Sequence, residues 1–285
     1  MPLGFVNHEI RQCIIPIMSA IDTTVYELFR RIADARDRNA FIRRESRSDK
    51  EFHFQNWVKD RLSETGQEFE QGGRNSYPDF RIVHISEGFE IKGLAYPGRE
   101  TTFDSNSQVP TGHHNGRKIY YVFGRYPAEP DGDEYPVTDL VLCHGDFLNA
   151  DHEYRHENKS VRGFGSYGDI MIRDRKMYVV PTPFALATSL SHHFTLVLPA
   201  DMIPPSTLEL VGTLERVEAA HLVLSYNFNL QTNELTPELV PNPSAGTRHS
   251  FRAWRTVGEA GDRQVQMIDR SVILRRVAEA ADHAD

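Results

Sequence analysis

Three side chains suited to metal and acid–base chemistry lie close together in the sequence. Asp79 follows Pro78 at the start of an apolar run, and Glu90 and Lys92 lie within a second apolar run. Two carboxylates and one ammonium suit phosphodiester hydrolysis, because the acids can hold Mg²⁺ while the cation offsets charge near the attacking water. Asp79 and Glu90 are therefore candidate metal ligands, and Lys92 is the candidate catalytic cation.

Strand alternation explains how two charges can lie inside an apolar run. The run from Phe89 to Ala95 predicts a β-strand, and successive side chains of a strand point to opposite faces. Glu90 and Lys92 are thus expected on one face, while Phe89 and Ile91 pack on the other. A charge that faces the interior is costly unless paired, so this face should be wet or its charges paired and liganded.

The preceding apolar run predicts the strand that carries Asp79 to this face. This strand is expected from Phe80 to Ile85, and Ser86-Glu87-Gly88 suits the hairpin loop between the two strands. A turn centred on that loop leaves Asp79 several residues away from Glu90. A strong twist, a bulge or an earlier turn is then needed to bring the two acids together.

The same residues resemble the motif of the PD-(D/E)xK nucleases. Pro78-Asp79 is followed by ten residues and then by Glu90-Ile91-Lys92, in the order of the family's motif. An amphipathic helix predicted over Asp49 to Glu64 precedes them, as the family's first core helix does. The resemblance extends over Asp49 to His144 and implies an α/β fold with a restriction-endonuclease-like core, in which helices flank a mixed β-sheet.

Within that family the chain looks most like the type II restriction endonucleases. This implies Mg²⁺, replaceable by Mn²⁺, as cofactor, double-stranded DNA cut at a specific short sequence, a homodimer, and a DNA methyltransferase as a functional rather than physical partner. It further implies one nuclease domain over 1–285, with a catalytic core over 49–144; strands and C-terminal helices over 145–285 complete it and contribute to dimerisation and DNA recognition. A repair or mobile-element nuclease and a non-catalytic DNA-binding domain of the same fold remain open.

Further site residues are predicted with the family in view. The family often adds an acid from the preceding helix, and Glu51 is the candidate, although Ser48 and Glu51 also fit a capping box. The long polar segment from Pro97 to Gly116 is the expected DNA-reading loop, since Arg pairs with guanine and Asn or Gln with adenine, unless it is an ordinary solvated loop. The candidate DNA-binding residues are Arg99, Asn106, Gln108, His113 and Arg117.

Composition limits the other functions of the chain. The net charge of −8 disfavours a non-specific coat of nucleic acid. Eight basic residues against four acids from Arg30 to Lys50 suit either a local phosphate-binding stripe or a solvated helix face with mixed ion pairs. No apolar run reaches membrane-spanning length and no signal peptide is apparent, so a cytoplasmic location is expected.

The remaining elements follow from periodicity. A helix with a Thr24–Glu27 capping box is predicted over Asp22 to Arg38. Gly163 to Gly168 spells the dinucleotide-binding GxGxxG pattern but lacks the strand before it and the helix after it. Further strands are predicted over Lys118–Arg125, Val137–His144, Asp169–Arg173, Met177–Pro181 and Phe194–Leu198, and further helices over Thr207–Ala220 and Arg263–Ala281.

Overall fold

A computed structural model gives the structure of this chain. It describes residues 23–44, 50–73, 76–96, 103–106, 109–128, 132–150, 156–157, 160–161, 167, 171–174, 177–180, 193–229, 231–232 and 234–258. Within these ranges the chain is an α/β protein with a large mixed sheet and two α-helices. Neither of the two helices is long and apolar enough to cross a membrane.

The elements of the described residues follow one another in this order. They are α1 (Thr24–Asp37), β1 (Ile42–Arg43), α2 (Lys50–Ser63), β2 (Phe69–Gln71), β3 (Phe80–Ile82), β4 (Glu87–Tyr96), β5 (Phe103–Asn106), β6 (His113–His114), β7 (Arg117–Pro127), β8 (Glu134–Tyr135), β9 (Asp139–His144), a 3₁₀ turn (Gly145–Phe147), β10 (His156–Glu157), β11 (Ser160–Val161), β12 (Met171–Asp174), β13 (Met177–Val180), β14 (Phe194–Pro199), β15 (Leu208–Val217), β16 (His221–Asn229), β17 (Glu234–Pro241) and β18 (Arg248–Thr256).

The large sheet has the strand order β15-β18-β14-β9-β7-β4-β3-β2, with β6 paired to β7. Strand β4 runs parallel to β7 and antiparallel to β3. Strands β14 and β9 also form a parallel pair, whereas β7 and β9 are antiparallel. The strand that carries Glu90 and Lys92 is therefore interior to the sheet and hydrogen-bonded on both sides.

The two helices cover one face of this sheet, as their apolar spacing predicts. Val25, Leu28 and Phe29 of α1 are fully buried, and so is Phe54 of α2. They share a core cluster with the odd-numbered side chains of β4, among them Phe89. Both predicted helices are confirmed, and the even-numbered positions of β4 are left to the opposite face.

The predicted capping box of α1 is wrong. Thr23, not Thr24, occupies the N-cap position, and its side chain makes no capping hydrogen bond. Glu27 instead pairs with Arg30 and Arg31 on the helix surface.

Close packing of α2 on the sheet depends on a glycine in β7. A Cβ added to Gly124 would lie 2.1 Å from Cζ of Phe54. The Phe54 ring is enclosed, because it stacks on Trp57 at 6.0 Å and contacts Tyr126 at 6.2 Å between ring centroids. Any side chain at position 124 therefore displaces the helix that covers β4.

The helix predicted over Thr207 to Ala220 is wrong, because this segment forms strand β15. Leu208, Val211 and Leu214 are buried three residues apart, which imitates a helical face. A bulge between Leu210 and Gly212 produces this spacing, because it reverses the alternation of side chains along the strand. Leu208 therefore packs in the core cluster under the helices, whereas Val211 and Leu214 pack in the core cluster on the other face of the sheet.

Other elements differ from prediction in smaller ways. The polar segment before β6 contains β5, which pairs with β13, so it is not wholly a loop. Strands β16, β17 and β18 were not predicted. The helix predicted over Arg263 to Ala281 and the GxGxxG segment, apart from Tyr167, lie outside the described residues.

Glu87 is the first residue of β4, so the predicted hairpin loop at Ser86-Glu87-Gly88 is wrong. Glu87 is 1% exposed, and its carboxylate accepts a hydrogen bond from the Thr24 N–H at 2.8 Å, at the N-terminus of α1. Helix N-termini favour negative charge, which allows an acidic residue to begin a buried strand. Burial raises the pKa of Glu87 to about 7, against the lowering effect of the Thr24 hydrogen bonds and of Lys118.

Glu87 should make stability fall as pH rises. Its pKa in the folded protein is about 7 against an ordinary 4.5, so between these values the folded chain binds more protons than the unfolded chain. At about 1.4 kcal/mol per pKa unit, about 3 kcal/mol of stability should be lost between about pH 4 and pH 8. Urea unfolding of Glu87→Gln should lack this loss. The exposed Glu68→Gln is the control, and equal pH profiles for Glu87→Gln and wild type would contradict the assignment.

Gly124→Ala should destabilise the fold by about 1–3 kcal/mol, because the new methyl group overpacks the enclosed Phe54 ring. Chemical denaturation measures the change. Gly73→Ala is the matched control, since its added Cβ meets only Ser76 Oγ at 3.9 Å, and it should change stability by less than about 0.5 kcal/mol. Equal stabilities of the two variants would exclude the packing role given to Gly124.

Candidate active site

The register of β3 on β4 brings the two predicted acids together. Phe80 lies opposite Phe89, so the next pair places Asp79 beside Glu90. The Asp79 N–H donates to Glu90 Oε2 at 3.3 Å, and the Ile91 N–H donates to Asp79 Oδ2 at 2.8 Å. The chain turns over residues 83–86, earlier than the predicted turn centred on Glu87. Because the turn comes earlier, Asp79 lies opposite Glu90 and not several residues away from it.

Strand β7 holds this turn in place. The Arg117 guanidinium donates through Nη1 to the carbonyl oxygens of Ile82 at 2.6 Å and Ile85 at 3.2 Å. The Lys118 N–H donates to the Ser86 carbonyl at 2.8 Å. The two residues that begin β7 thus bind three carbonyl groups around the turn, and this fixes the register on which the meeting of the acids depends.

Glu90 and Lys92 form a buried ion pair. Lys92 Nζ lies 2.8 Å from Glu90 Oε1; Glu90 is 7% exposed and Lys92 is 6% exposed. Both side chains point away from the helices, as strand alternation predicts. Of the two expected states for this face, a wet surface or paired charges, the structure has paired charges.

Two tyrosines adjoin the acids. Tyr121 of β7 lies opposite Glu90 in the parallel β4–β7 pair and is 2% exposed. Its hydroxyl oxygen is 2.7 Å from that of Tyr77, which directly precedes Pro78-Asp79. Burial chiefly, and the negative charge of Glu90 in addition, raise the pKa of both tyrosines, and Asp79 adds to the effect on Tyr77. Both hydroxyls therefore stay protonated throughout the physiological pH range.

Two basic side chains border the acids on the same face. Arg81 is two residues beyond Asp79, and its only ion pair given by the described residues is a 4.0 Å contact with the exposed Glu70. The His114 ring packs edge-on against Tyr77, with centroids 4.9 Å apart. Burial and the charge of Arg81 lower the pKa of His114, so its ring is mainly neutral at pH 7.

Asp79 and Glu90 fit a magnesium site. Magnesium is commonly held by one or two carboxylates that leave positions for water and substrate phosphates, and a carboxylate that accepts hydrogen bonds keeps further lone pairs for a metal. No group of three or more His, Cys, Asp or Glu side chains suited to a metal is found in the described residues. Glu51 lies in the first turn of α2, but its side chain is outside the description, so its proposed role as a ligand stays a prediction.

The predicted DNA-binding residues are not brought together by the described structure. Arg99, Gln108 and the side chain of Asn106 lie outside it. His113 packs its ring 5.5 Å from that of His144, and alternation along β6 separates it from the face of His114. Arg117 lies on the face of the acids, where it binds the turn carbonyls described above.

In the described part of the basic stripe from Arg30 to Lys50, most charges are neutralised by neighbouring acids. Arg30 pairs with Glu27 and Asp34, and Arg31 with Glu27. Further pairs are Arg36–Asp37, Arg38–Glu64 and Arg43–Glu134. Of the two interpretations of this stripe, the described residues favour the solvated helix face with mixed ion pairs.

Sequence reasoning missed Tyr77, Tyr121 and Glu87 as parts of this region. Tyr77 directly precedes Pro78-Asp79, and this position next to the motif is a sequence signal that could have identified it. Tyr121 becomes a neighbour of Glu90 only through the parallel pairing of β4 with β7, which alternation within one strand does not reveal.

The buried pair Glu90–Lys92 should show strong energetic coupling. Lys92→Met leaves the Glu90 carboxylate buried without its cation and should cost about 3–5 kcal/mol. The double variant Glu90→Gln, Lys92→Met should be more stable than Lys92→Met alone, since no uncompensated charge remains. A double-mutant cycle from urea unfolding measures the coupling energy. If the losses of unfolding free energy in the two single variants add up to that of the double variant, Glu90 and Lys92 are not energetically coupled.

Comparison of the chain with protein-family models gives no match, and neither does comparison with curated proteins. What the chain does must therefore be inferred from the side chains that β3, β4 and β7 bring together. Those side chains are two carboxylates, one ammonium and two phenol hydroxyls, bordered by Arg81 and His114.

Proposed function

We propose that the chain is a Mg²⁺-dependent endodeoxyribonuclease of the type II restriction class, with a restriction-endonuclease-like core, which cuts double-stranded DNA at a specific short sequence. The observation that carries the proposal is the meeting of Asp79 and Glu90 on adjacent strands, with Lys92 Nζ 2.8 Å from Glu90. Glu90 is buried and Asp79 is partly buried, so bringing the two negative charges together is costly to the fold, and a structural role alone gives no reason for it.

Asp79 and Glu90 are the proposed ligands of Mg²⁺, with Mn²⁺ as a substitute. When bound, the ion polarises a phosphoryl oxygen and lowers the pKa of a coordinated water. The Lys92 ammonium, held beside Glu90, offsets negative charge that develops on the phosphate and orients the attacking water. The backbone N–H groups of Asp79 and Ile91 fix the two carboxylates, so their geometry is set before substrate arrives.

A homodimer belongs to the same proposal. One site of this kind cuts one strand, so cleavage of both strands at a palindromic sequence requires two copies related by a two-fold axis.

Asp79→Asn should abolish DNA cleavage and leave the fold intact. The amide oxygen can still accept the Ile91 N–H bond that Asp79 Oδ2 accepts, while the negative charge that a metal needs is lost. The assay is digestion of a defined plasmid with Mg²⁺ or with EDTA, followed by sequencing of the ends. Glu90→Gln and Lys92→Ala should also abolish cutting, and the exposed Glu68→Gln should cut at the wild-type rate.

The products separate the proposal from its alternatives. Discrete fragments that require Mg²⁺ support a restriction enzyme, whereas a smear or cutting at branched junctions points to a repair or mobile-element nuclease. Failure to cut methylated and unmethylated DNA with either Mg²⁺ or Mn²⁺ would overturn the enzyme assignment in favour of a non-catalytic DNA-binding domain. Activity retained by Asp79→Asn would remove Asp79 from the site.

A further inference from the structure

The hydroxyl pair Tyr77–Tyr121 has one hydrogen more than its own hydrogen bond uses. Each phenol carries one hydrogen, and the 2.7 Å contact between the two oxygens accommodates only one of them. The backbone of Thr111 also hydrogen-bonds to the Tyr121 hydroxyl, and because this contact lowers the pKa of Tyr121 it is a donor and not an acceptor for the second hydrogen. Within the described residues, neither hydroxyl has another side-chain partner. A buried donor without an acceptor costs about 1–3 kcal/mol, so the second hydrogen calls for a water or a ligand.

Burial decides which tyrosine carries the spare hydrogen. Tyr121 is enclosed, at 2% exposed, and the Tyr77 oxygen is the acceptor that its hydrogen can reach. Tyr77 as a whole residue is less buried than Tyr121, so its hydrogen is the better placed of the two to meet a water or an incoming group. The favourable arrangement therefore has Tyr121 donating to Tyr77, with the Tyr77 hydroxyl left free to donate.

The surroundings of Tyr77 select the chemistry of the acceptor. Asp79 follows it by two residues, and the charges of both Asp79 and Glu90 are near enough to raise its pKa. The edge-on contact with His114 fixes the orientation of the ring. The two carboxylates alone would repel an anionic oxygen, so such an oxygen can approach only when a cation offsets their charge. A neutral, oriented hydroxyl beside them and Lys92 can then donate a hydrogen bond to that oxygen.

We propose that Tyr77 contacts the substrate, its hydroxyl donating a hydrogen bond to a non-bridging oxygen of a DNA phosphate at the cleavage site, with Tyr121 as the positioning residue that orients it. This inference rests on the proposed nuclease function and adds a substrate contact that the acid–acid–lysine motif does not contain. No proton is transferred in this role, because the hydroxyl remains a hydrogen-bond donor throughout, and its bond strengthens as negative charge grows on the phosphate oxygen in the transition state.

Cleavage kinetics of Tyr77→Phe test the inference. Loss of one donor at a developing oxyanion should lower kcat by about 100-fold, while the affinity for Mn²⁺ measured by calorimetry stays at the wild-type value. Tyr121→Phe keeps the Tyr77 hydroxyl but loses its orientation, so its loss of kcat should be smaller. Tyr120→Phe is the matched control, since this neighbouring buried hydroxyl lies on the helix-covered face and has no hydrogen-bond partner among the described residues.

Sulfur substitution at the phosphate distinguishes a direct contact from a structural effect. A phosphorothioate of one stereochemistry, placed at the mapped cleavage site, should slow wild type and have little further effect on Tyr77→Phe, because sulfur is the weaker hydrogen-bond acceptor. A metal contact would be rescued by Mn²⁺, whereas this contact should not be. An equal sulfur effect in both proteins would overturn the inference.

The inference and the proposed function fail in different ways. If wild type cuts DNA and Tyr77→Phe cuts at the same rate, the inference is wrong and the nuclease assignment stands. If wild type cuts no DNA under any condition named above, both are wrong. Circular dichroism and thermal melting of each variant establish that a lost activity is not a lost fold.

Discussion

The register between β3 and β4 is the constraint on which the rest of the candidate site depends. Because side chains alternate along a strand, a slip of one residue would turn Glu90 and Lys92 toward the helices and bring Phe89 and Ile91 to the polar face. Several independent contacts oppose such a slip. Glu87 is bound to the N-terminus of α1, and Arg117 and the Lys118 N–H bind the turn carbonyls. Helix, turn and neighbouring strand therefore all specify one alignment.

The features that depend on the spacing of residues within one helix or strand were predictable from the sequence. The apolar spacing of Val25, Leu28 and Phe29 predicted α1, and alternation along β4 predicted which of its side chains would share a face. Asp79, Glu90 and Lys92 were identified from residue type and spacing, and the structure places them in contact. Their chemical role stays a prediction.

The remaining features depend on partners distant in sequence. Ser86-Glu87-Gly88 has the composition of a turn, but Glu87 pairs with Lys118 of β7 as a strand residue, and its buried carboxylate is bound by the N-terminus of α1, 63 residues away. The bulge in β15 likewise gave a strand the burial spacing of a helix. The parallel pairing that sets Tyr121 beside Glu90 is a property of sheet topology, which periodicity within a single strand does not contain.

The position of Lys92 two residues after Glu90 makes the charge balance of this region a property of a single strand. Carboxylate and counter-ion are carried by the same ten-residue element, so a shift of β4 relative to its neighbours moves both together and leaves neither charge alone in the interior. Asp79, in contrast, lies on a different segment, just before β3, and is linked to β4 by hydrogen bonds that the backbone N–H groups of Asp79 and Ile91 donate. Glu90 and Lys92 therefore keep their pairing when the strand shifts, whereas the position of the second acid, Asp79, depends on the assembly of the sheet.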